Sequence, residues 1–171
     1  MKELKIKNKW ITIGGSSYVT DLNDNKVLEV KGKIFTFTRK KFLNTLEGDT
    51  KFIIRNKFWR LFVYRAFVLD PLGEVVATIR RKVFSVHDRY FVESERYGSF
   101  ELKGNILGFD YHIYLNGEEI GHIGRRISLR DSFVLSIDDT KVDYMFIVAL
   151  VIAIDNITDQ RRDDASSSNY D

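Results

Sequence analysis

Short runs of alternating apolar and polar residues dominate the chain from Trp10 to Ile137. The runs are rich in β-branched and aromatic residues and are separated by Gly, Asn and Asp, which is typical of strands joined by tight turns. The predicted strands are Ser17–Leu22, Lys26–Val30, Ile34–Thr38, Lys51–Arg55, Leu61–Leu69, Val75–Arg80, Tyr90–Glu93, Ser99–Leu102, Phe109–Leu115, Glu119–Ile123 and Ser132–Ile137. Their close spacing leaves no room for crossover helices, so the pattern predicts antiparallel hairpins rather than a doubly wound α/β sheet.

One hairpin pattern occurs three times, at residues 18–31, 66–80 and 112–125. Each copy has a strand, a turn with Asp or Asn followed by Gly or Asn, a second strand and a basic residue. Asn116-Gly117 predicts a two-residue turn, because both residues tolerate a positive φ. In the longer turns we expect Asn25 and Gly73 at the left-handed position. A repeated hairpin predicts a meander.

The pattern predicts a helix near the end of the chain that is apolar on every side. Residues Tyr144–Ile154 are apolar without exception, and Thr140-Lys141-Val142-Asp143 has the form of a capping box with Thr140 as N-cap. A helix that is apolar all round is buried all round. The segment Val142–Ile154 spans roughly 20 Å as a helix, whereas a membrane span needs about 20 apolar residues. The segment is therefore predicted to be a core helix.

A long meander has two exposed edges, and closure into a barrel removes them. A barrel of more than about eight strands is too wide for its own side chains to fill, and the predicted helix supplies the missing core. The sequence therefore predicts a β-rich α+β fold, a closed antiparallel β-barrel of about 12 strands wrapped around a central hydrophobic C-terminal helix. The predicted domain covers residues 1–157, with the helix at about 140–156, and residues 158–171 are predicted to form a polar, mobile tail.

Composition and charge narrow the classes of function. The 171 residues include no cysteine, which excludes a disulfide scaffold, a thiolate zinc site, an iron–sulfur cluster and a cysteine nucleophile. The first residues lack the pattern of a signal peptide, so we expect a cytoplasmic protein. Residues 1–60 carry 14 Lys/Arg against 6 Asp/Glu, and residues 61–171 carry 13 against 18. The excess of basic residues in the first 60 residues favours an anionic membrane lipid or an acidic protein as partner.

The order of these elements resembles the LURP-one-related proteins. The resemblance rests on the repeated hairpins, the acidic turn Asp138-Asp139-Thr140 and the apolar helix that ends in Ala153-Ile154-Asp155, and it covers about Trp10 to Ile157. That family is similar to the tubby C-terminal domain and to phospholipid scramblases. The resemblance implies a twelve-stranded barrel around a central helix, and binding of phosphoinositides through basic surface residues. The chain departs from the scramblase pattern, because it lacks a cysteine cluster and EF-hand spacing of acidic residues before the helix.

The sequence offers no arrangement typical of a catalytic site. It has no Gly-x-Ser-x-Gly elbow, and nothing near its paired carboxylates would separate their pKa values. We therefore predict a non-enzymatic protein without a cofactor. His112 and His122 are expected to face each other across the third hairpin. Because a metal ion there would need two more ligands, we predict a structural role for both histidines.

Basic residues close several predicted strands, in the clusters Arg39-Lys40-Lys41, Arg80-Arg81-Lys82 and Arg125-Arg126. If the hairpins stack in register around a barrel, these strand ends approach one rim and form a ring or a patch. Such a patch attracts anionic headgroups by about 1 kcal/mol per basic residue. The residues predicted to contact lipid headgroups, on a protein peripheral at the membrane, are Lys40, Lys41, Arg80, Arg81, Arg125 and Arg126.

Other interpretations of the same residues stay open. Strand-end Lys and Arg can simply keep turns soluble, which would make the protein a cytoplasmic structural or protein-interaction module with no lipid ligand. The terminal helix leaving the barrel to enter a membrane is a third possibility, which its length disfavours. Nucleic acid is a weaker option, because the alternation turns many aromatic side chains inward.

A chain truncated after Asp139 should fail to fold, since it lacks the predicted core helix. Roughly ten large apolar side chains, at about 1.5–3 kcal/mol each, exceed the net stability of any domain. Circular dichroism during heating measures the outcome. A soluble truncated chain with a cooperative unfolding transition would contradict the helix-filled barrel.

Overall fold

The described part of the chain forms a closed barrel of twelve strands followed by a helix. The computed structural model describes residues 1–7, 16–32, 38–57, 64–82, 88–105, 110–125 and 132–167. The strands are β1 (Lys2–Lys7), β2 (Ser16–Thr20), β3 (Lys26–Gly32), β4 (Lys41–Asn44), β5 (Thr50–Asn56), β6 (Arg65–Leu69), β7 (Val75–Arg81), β8 (Asp88–Ser94), β9 (Gly98–Asn105), β10 (Asp110–Leu115), β11 (Glu118–Arg125) and β12 (Ser132–Ile137). The helix is α1 (Tyr144–Ser167).

Each strand pairs antiparallel with its neighbours in sequence, and the first strand pairs with the last. The closing pair joins β1 to β12 from Lys2↔Ile137 to Lys7↔Ser132. Closure leaves no row of unpaired backbone groups of the kind that an open sheet presents at its edges. The predicted closed antiparallel barrel is confirmed.

The helix occupies the interior of the barrel. Side chains alternate along the strands, so that in β9 Phe100 and Leu102 are buried between more exposed neighbours. The five consecutive helix residues Phe146–Leu150 have no exposed surface at all. Because five residues cover more than one full turn, the helix is buried on every side. The predicted central hydrophobic helix is confirmed.

The helix begins with a different cap from the predicted one. Asp143 is the N-cap residue, and its Oδ1 accepts a hydrogen bond from the backbone N–H of Met145 at 2.9 Å. Thr140 belongs to the preceding turn, where Asp138 Oδ1 accepts hydrogen bonds from its hydroxyl (2.6 Å) and its backbone N–H (3.2 Å). Asp138 takes up the Thr140 hydroxyl, so the predicted capping box does not form.

The helix is also longer than predicted. It extends to Ser167, so residues 158–167 are helical rather than part of a mobile tail, and residues 168–171 lie outside the described part of the chain. Two of the polar residues that suggested a tail are buried at the end of the barrel, where Thr158 and Gln160 are 5% and 4% exposed, whereas Asp163 and Ser166 are exposed. Within the described residues, the helix has no stretch long and apolar enough to cross a membrane.

Three of the turns share one geometry. The first residue of each donates its backbone N–H to the carbonyl of the fifth at 2.9 Å, as Asp21 to Asn25, Thr45 to Asp49 and Asp70 to Glu74. The fourth residue has a positive φ, and these residues are Asp24, Gly48 and Gly73. The expectation for Gly73 is confirmed, whereas that for Asn25 is wrong by one residue. Asn116 and Gly117 both have a positive φ, as predicted for a two-residue hairpin turn.

Truncation of Phe146 to alanine should destabilise the protein strongly. Its ring is stacked on Tyr97 with centroids 3.9 Å apart, and the rings of Phe52 and Phe100 lie within 6 Å. We expect Phe146→Ala to lower the free energy of unfolding by about 3–5 kcal/mol. Phe91 on the outer face is 38% exposed, so Phe91→Ala is the matched control and should cost much less. Urea unfolding measures both, and equal losses would contradict a core built around the helix.

Candidate functional site at the exit rim

The helix passes through the barrel from one rim to the other. It begins at the rim that carries the turns 21–25, 45–49, 70–74, 95–97, 116–117 and 138–143, which we call the entry rim. At the opposite end, which we call the exit rim, the helix residues from Asp155 onward contact the ends of strands. Every strand therefore has one end at each rim.

The topology brings the predicted basic residues to the exit rim. Lys41 begins β4, Arg81 ends β7 and Arg125 ends β11, while Lys40 and Arg80 are adjacent to these positions. These three strands are spaced around the barrel rather than side by side, so the residues form a ring and not one patch. The side chain of Arg125 and all of Arg126 lie outside the described part of the chain.

Two of these basic side chains form ion pairs within the rim. Lys41 Nζ lies 3.2 Å from Asp155 Oδ2 of the helix, and both side chains are about a tenth exposed (12% and 10%). Arg81 donates from Nε and Nη2 to Asp88 Oδ1 at 3.1 and 2.8 Å, and Arg161 of the helix lies 3.7 Å from the same oxygen. Lys41 and Arg81 therefore hold the helix and the strand ends together.

Arg39 and Arg80 form more exposed pairs. Arg39 pairs with Asp163 of the helix, and Arg80 pairs with Glu93 on the neighbouring strand. The Arg80 side chain is still 38% exposed. Lys57 and Lys82 are exposed at the same rim, and neither forms an ion pair with another described residue. The sequence placed Lys82 in a basic strand-end cluster but not among the headgroup contacts. It gave no signal for Lys57, because nothing in the local spacing of that residue marks it as a rim residue.

Buried amides complete the contact between helix and rim. Asn56, at the end of β5, is 1% exposed and donates from Nδ2 to the Asn156 carbonyl at 3.1 Å and to Gln160 Oε1 at 2.6 Å. Asn156 donates from its own Nδ2 to the Arg39 carbonyl at 3.0 Å. Buried polar groups need such partners, since an unpaired one costs about 1–3 kcal/mol. These residues explain why the helix continues past its apolar part.

A buried phenol lies next to this network. The Tyr90 hydroxyl is 3.4 Å from Thr158 Oγ1, and Thr158 donates to the Ile154 carbonyl at 2.9 Å. Burial raises the pKa of Tyr90, and the hydrogen bond with Thr158 opposes that effect only in part. Because its pKa is raised, the phenol stays protonated and acts as a structural hydrogen-bonding group.

Charge is divided between the two rims. The six entry-rim turns contain ten Asp/Glu and two Lys/Arg. The described connecting residues at the exit rim include Arg39, Lys40, Lys57 and Lys82, and none of these connecting residues is acidic. Acidic side chains at this rim belong to strand ends and to the helix, and Asp88, Asp155 and Asp163 are paired with Arg81, Lys41 and Arg39. This arrangement complements the helix dipole, whose positive N-terminal end lies at the acidic rim and whose negative C-terminal end lies at the basic rim.

A closed twelve-stranded barrel filled by its own C-terminal helix defines the tubby-like class of folds. A family model described as LURP-one-related matches residues 2–155, and the chain belongs to that family. An X-ray structure of a protein from Arabidopsis thaliana is similar, with a TM-score of 0.65 and 19% sequence identity over 92% of each chain. At this identity the likeness shows the fold alone. A search of curated proteins finds no match.

Replacement of Lys41 by an uncharged residue should destabilise the protein, because the buried Asp155 carboxylate then loses the nearby lysine cation. We expect Lys41→Met to lower the free energy of unfolding by about 3–5 kcal/mol, as for other buried pairs that lose one partner. The double variant Lys41→Met/Asp155→Leu should regain much of this loss, because it removes both charges.

Lys40→Met is the matched control, since it removes the neighbouring lysine, whose side chain lies over the Phe42 ring. Its loss should be under about 1 kcal/mol. Chemical unfolding of the wild type, Lys41→Met, Asp155→Leu and the double variant measures the coupling between Lys41 and Asp155. Additive losses in the double variant would show that the pair does not hold the helix.

Proposed function

We propose that this protein is a non-enzymatic tubby-like module that binds anionic phospholipid headgroups at its exit rim. The observation that carries the proposal is the charge division between the connecting residues of the two rims, which are basic at the exit rim and mostly acidic at the entry rim. An anionic membrane surface attracts such a basic end, and repels the acidic end, through the same field. The protein would then lie peripherally on a membrane, oriented with the exit rim toward it.

The basic residues of the exit rim have different roles in the proposed surface, because some of them form ion pairs within the protein. Lys41 and Arg81 are committed to internal pairs, so they contribute to the proposed surface by holding it together. The proposed headgroup contacts are then Lys57 and Lys82, which are exposed, together with Lys40 and Arg80, which are partly exposed. Arg80 would have to exchange its contact with Glu93 for a headgroup. Arginine forms bidentate contacts with phosphate, whereas lysine contributes a point charge. We retain Arg125 and Arg126 in the proposed surface on the sequence pattern alone.

The family and the fold support a binding role more than a catalytic one, because tubby-like barrels are generally non-enzymatic. The interior that would hold a substrate in a wider barrel is here filled by Phe146, Leu150 and their neighbours. A headgroup site on such a scaffold must therefore lie on the surface.

Co-sedimentation with vesicles tests the proposal. The wild-type protein should bind vesicles that contain a phosphoinositide or phosphatidylserine, should ignore neutral phosphatidylcholine vesicles, and should bind less at physiological than at low salt. The variant Lys40→Glu/Lys57→Glu/Lys82→Glu reverses three charges at the exit rim. At about 1 kcal/mol per residue, the loss of three cations alone should weaken binding about a hundredfold.

The variant Lys26→Glu/Lys51→Glu/Arg96→Glu is the matched control, because it changes the net charge equally but at the opposite end of the barrel. It should keep most of the binding. Equal losses in the two variants would show that net charge, and not the exit rim, attracts the membrane. A folded wild-type protein that binds none of the vesicles would contradict the proposal and favour the alternative of a protein-interaction module. A second comparison uses phosphoinositide vesicles and phosphatidylserine vesicles of equal surface charge. Tighter binding to one of them indicates recognition of its headgroup, and equal binding indicates electrostatic attraction to any anionic surface.

A further inference from the structure

Two histidines and a carboxylate meet on the outer face of the barrel, away from the helix. His112 of β10 and His122 of β11 are directly paired across the strands, and their ring centroids are 4.8 Å apart. Asp110 lies two residues before His112 and so faces the same side of the sheet. One potential ligand atom from each of Asp110, His112 and His122 lies within 4.8 Å of the others. The expected pairing of the two histidines is confirmed, and Asp110 adds a third ligand that the sequence interpretation missed.

A β-bulge brings a second carboxylate to the same place. The register shifts from Ile113↔Gly121 to Tyr114↔Glu119, so that Ile120 is the extra residue of β11. Residues three apart on a regular strand face opposite sides, but the bulge turns Glu119 to the side of His122. Glu119 Oε1 consequently lies 2.8 Å from Nδ1 of His112.

This contact orients the His112 ring. When Nδ1–H donates to Glu119, Nε2 carries the lone pair and is left as a ligand atom. The same carboxylate–histidine arrangement fixes the tautomer and the orientation of metal-binding histidines in general. His122 Nε2 lies 2.5 Å from Asp110 Oδ1, so the second imidazole and the Asp110 carboxylate are in direct contact. A metal ion bound by both atoms would take the place of the proton between them, and that proton would be released to water.

Two neighbouring residues favour the exposed histidine pair: Gly124 leaves space for the His122 ring, and Lys103 is paired with another carboxylate. A Cβ atom at Gly124 would lie 2.5 Å from Cε1 of His122, so only glycine accommodates the ring in this position. Lys103 is paired with His112 on the other side, from β9. Its Nζ lies 3.1 Å from Glu101 Oε2 and 4.5 Å from the centre of the Tyr114 ring, which directs that charge to Glu101.

We propose that Asp110, His112 and His122 bind a divalent transition-metal ion of the Zn²⁺ type, with Glu119 as the group that orients His112. Imidazole nitrogen and carboxylate oxygen are ligands that Zn²⁺ accepts, and three protein ligands leave a fourth position for water or for a group from another molecule. All three side chains are at least partly exposed, so small rotations can bring their ligand atoms to the usual 2.0–2.2 Å from the ion. The bound ion would join β10 to β11 through their side chains.

Calorimetric titration of the untagged protein with ZnCl₂ tests this site. The wild-type protein should bind one ion, and a zinc concentration a hundredfold above the dissociation constant should raise the Tm by about 5–10 °C. His112→Gln and His122→Gln should each abolish most of the binding. Glu119→Gln should weaken it by about 10–100-fold, as expected for a group that orients a ligand. Glu118→Gln is the matched control, because Glu118 pairs with Lys141 instead, and it should leave the affinity unchanged.

The visible absorption of bound Co²⁺ provides an independent readout, since ligation by imidazole changes the spectrum of the hydrated ion. Zinc binding that is equal in the wild type and in both histidine variants would overturn the proposal, and so would the absence of binding to a folded wild type. A site of this composition should prefer Zn²⁺ to Ca²⁺, which takes oxygen ligands. Displacement of zinc by calcium at comparable concentration would therefore also contradict it.

Discussion

The fold depends on the match between a wide barrel and an apolar helix that fills it. Twelve strands enclose a lumen that strand side chains alone do not fill, and the helix residues Phe146–Leu150 have no exposed surface anywhere in that lumen. Each part covers the apolar surface of the other, because the inner face of the sheet and the helix segment Met145–Ile154 are both apolar. The closing pair between β1 and β12, the tight entry-rim turns and the ion pairs at the exit rim all keep the barrel at the size that fits the helix.

The ends of the helix show how the match is maintained beyond its apolar part. Asp143 caps the helix at the acidic rim, while Asn156, Gln160 and Asp155 replace apolar packing with hydrogen bonds and an ion pair at the basic rim. A helix that was apolar to its last residue would leave the ends of the strands without polar partners. The charge division between the rims follows the same axis, and it gives the barrel two ends of opposite electrostatic character around one neutral core.

The barrel and its helix could be predicted because they depend on patterns that run through the whole chain. The alternation of apolar and polar residues predicted most of the strands, and the unbroken apolar segment Tyr144–Ile154 predicted the helix. The errors concern local competition between similar groups. Thr140 has the residue type of a cap, but Asp138 takes its hydroxyl. The polar residues after Asp155 resemble a tail, and only the three-dimensional position of Asn56 shows that Asn156 and Gln160 are buried.

The candidate sites were predictable to a smaller extent, because they join residues distant in sequence. The basic strand ends could be expected at one rim, but the pairing of Lys41 with Asp155 connects residues 114 positions apart. The pairing of His112 with His122 followed from the hairpin. The contact between Glu119 and His112 could not be predicted from the hairpin, since it depends on a β-bulge that no turn residue indicates.

The order of the elements along the chain has a consequence for synthesis. The strand that closes the barrel and the helix that fills it are both within residues 132–167, after the other eleven strands. The ribosome makes the chain from its N-terminus. The apolar faces of those eleven strands therefore have no helix to pack against until residues 132–167 emerge. Contacts as distant as Lys2↔Ile137 must then form late and together, and such long-range pairing is slow. The apolar faces of the first eleven strands therefore remain prone to aggregation until residues 132–167 have left the ribosome.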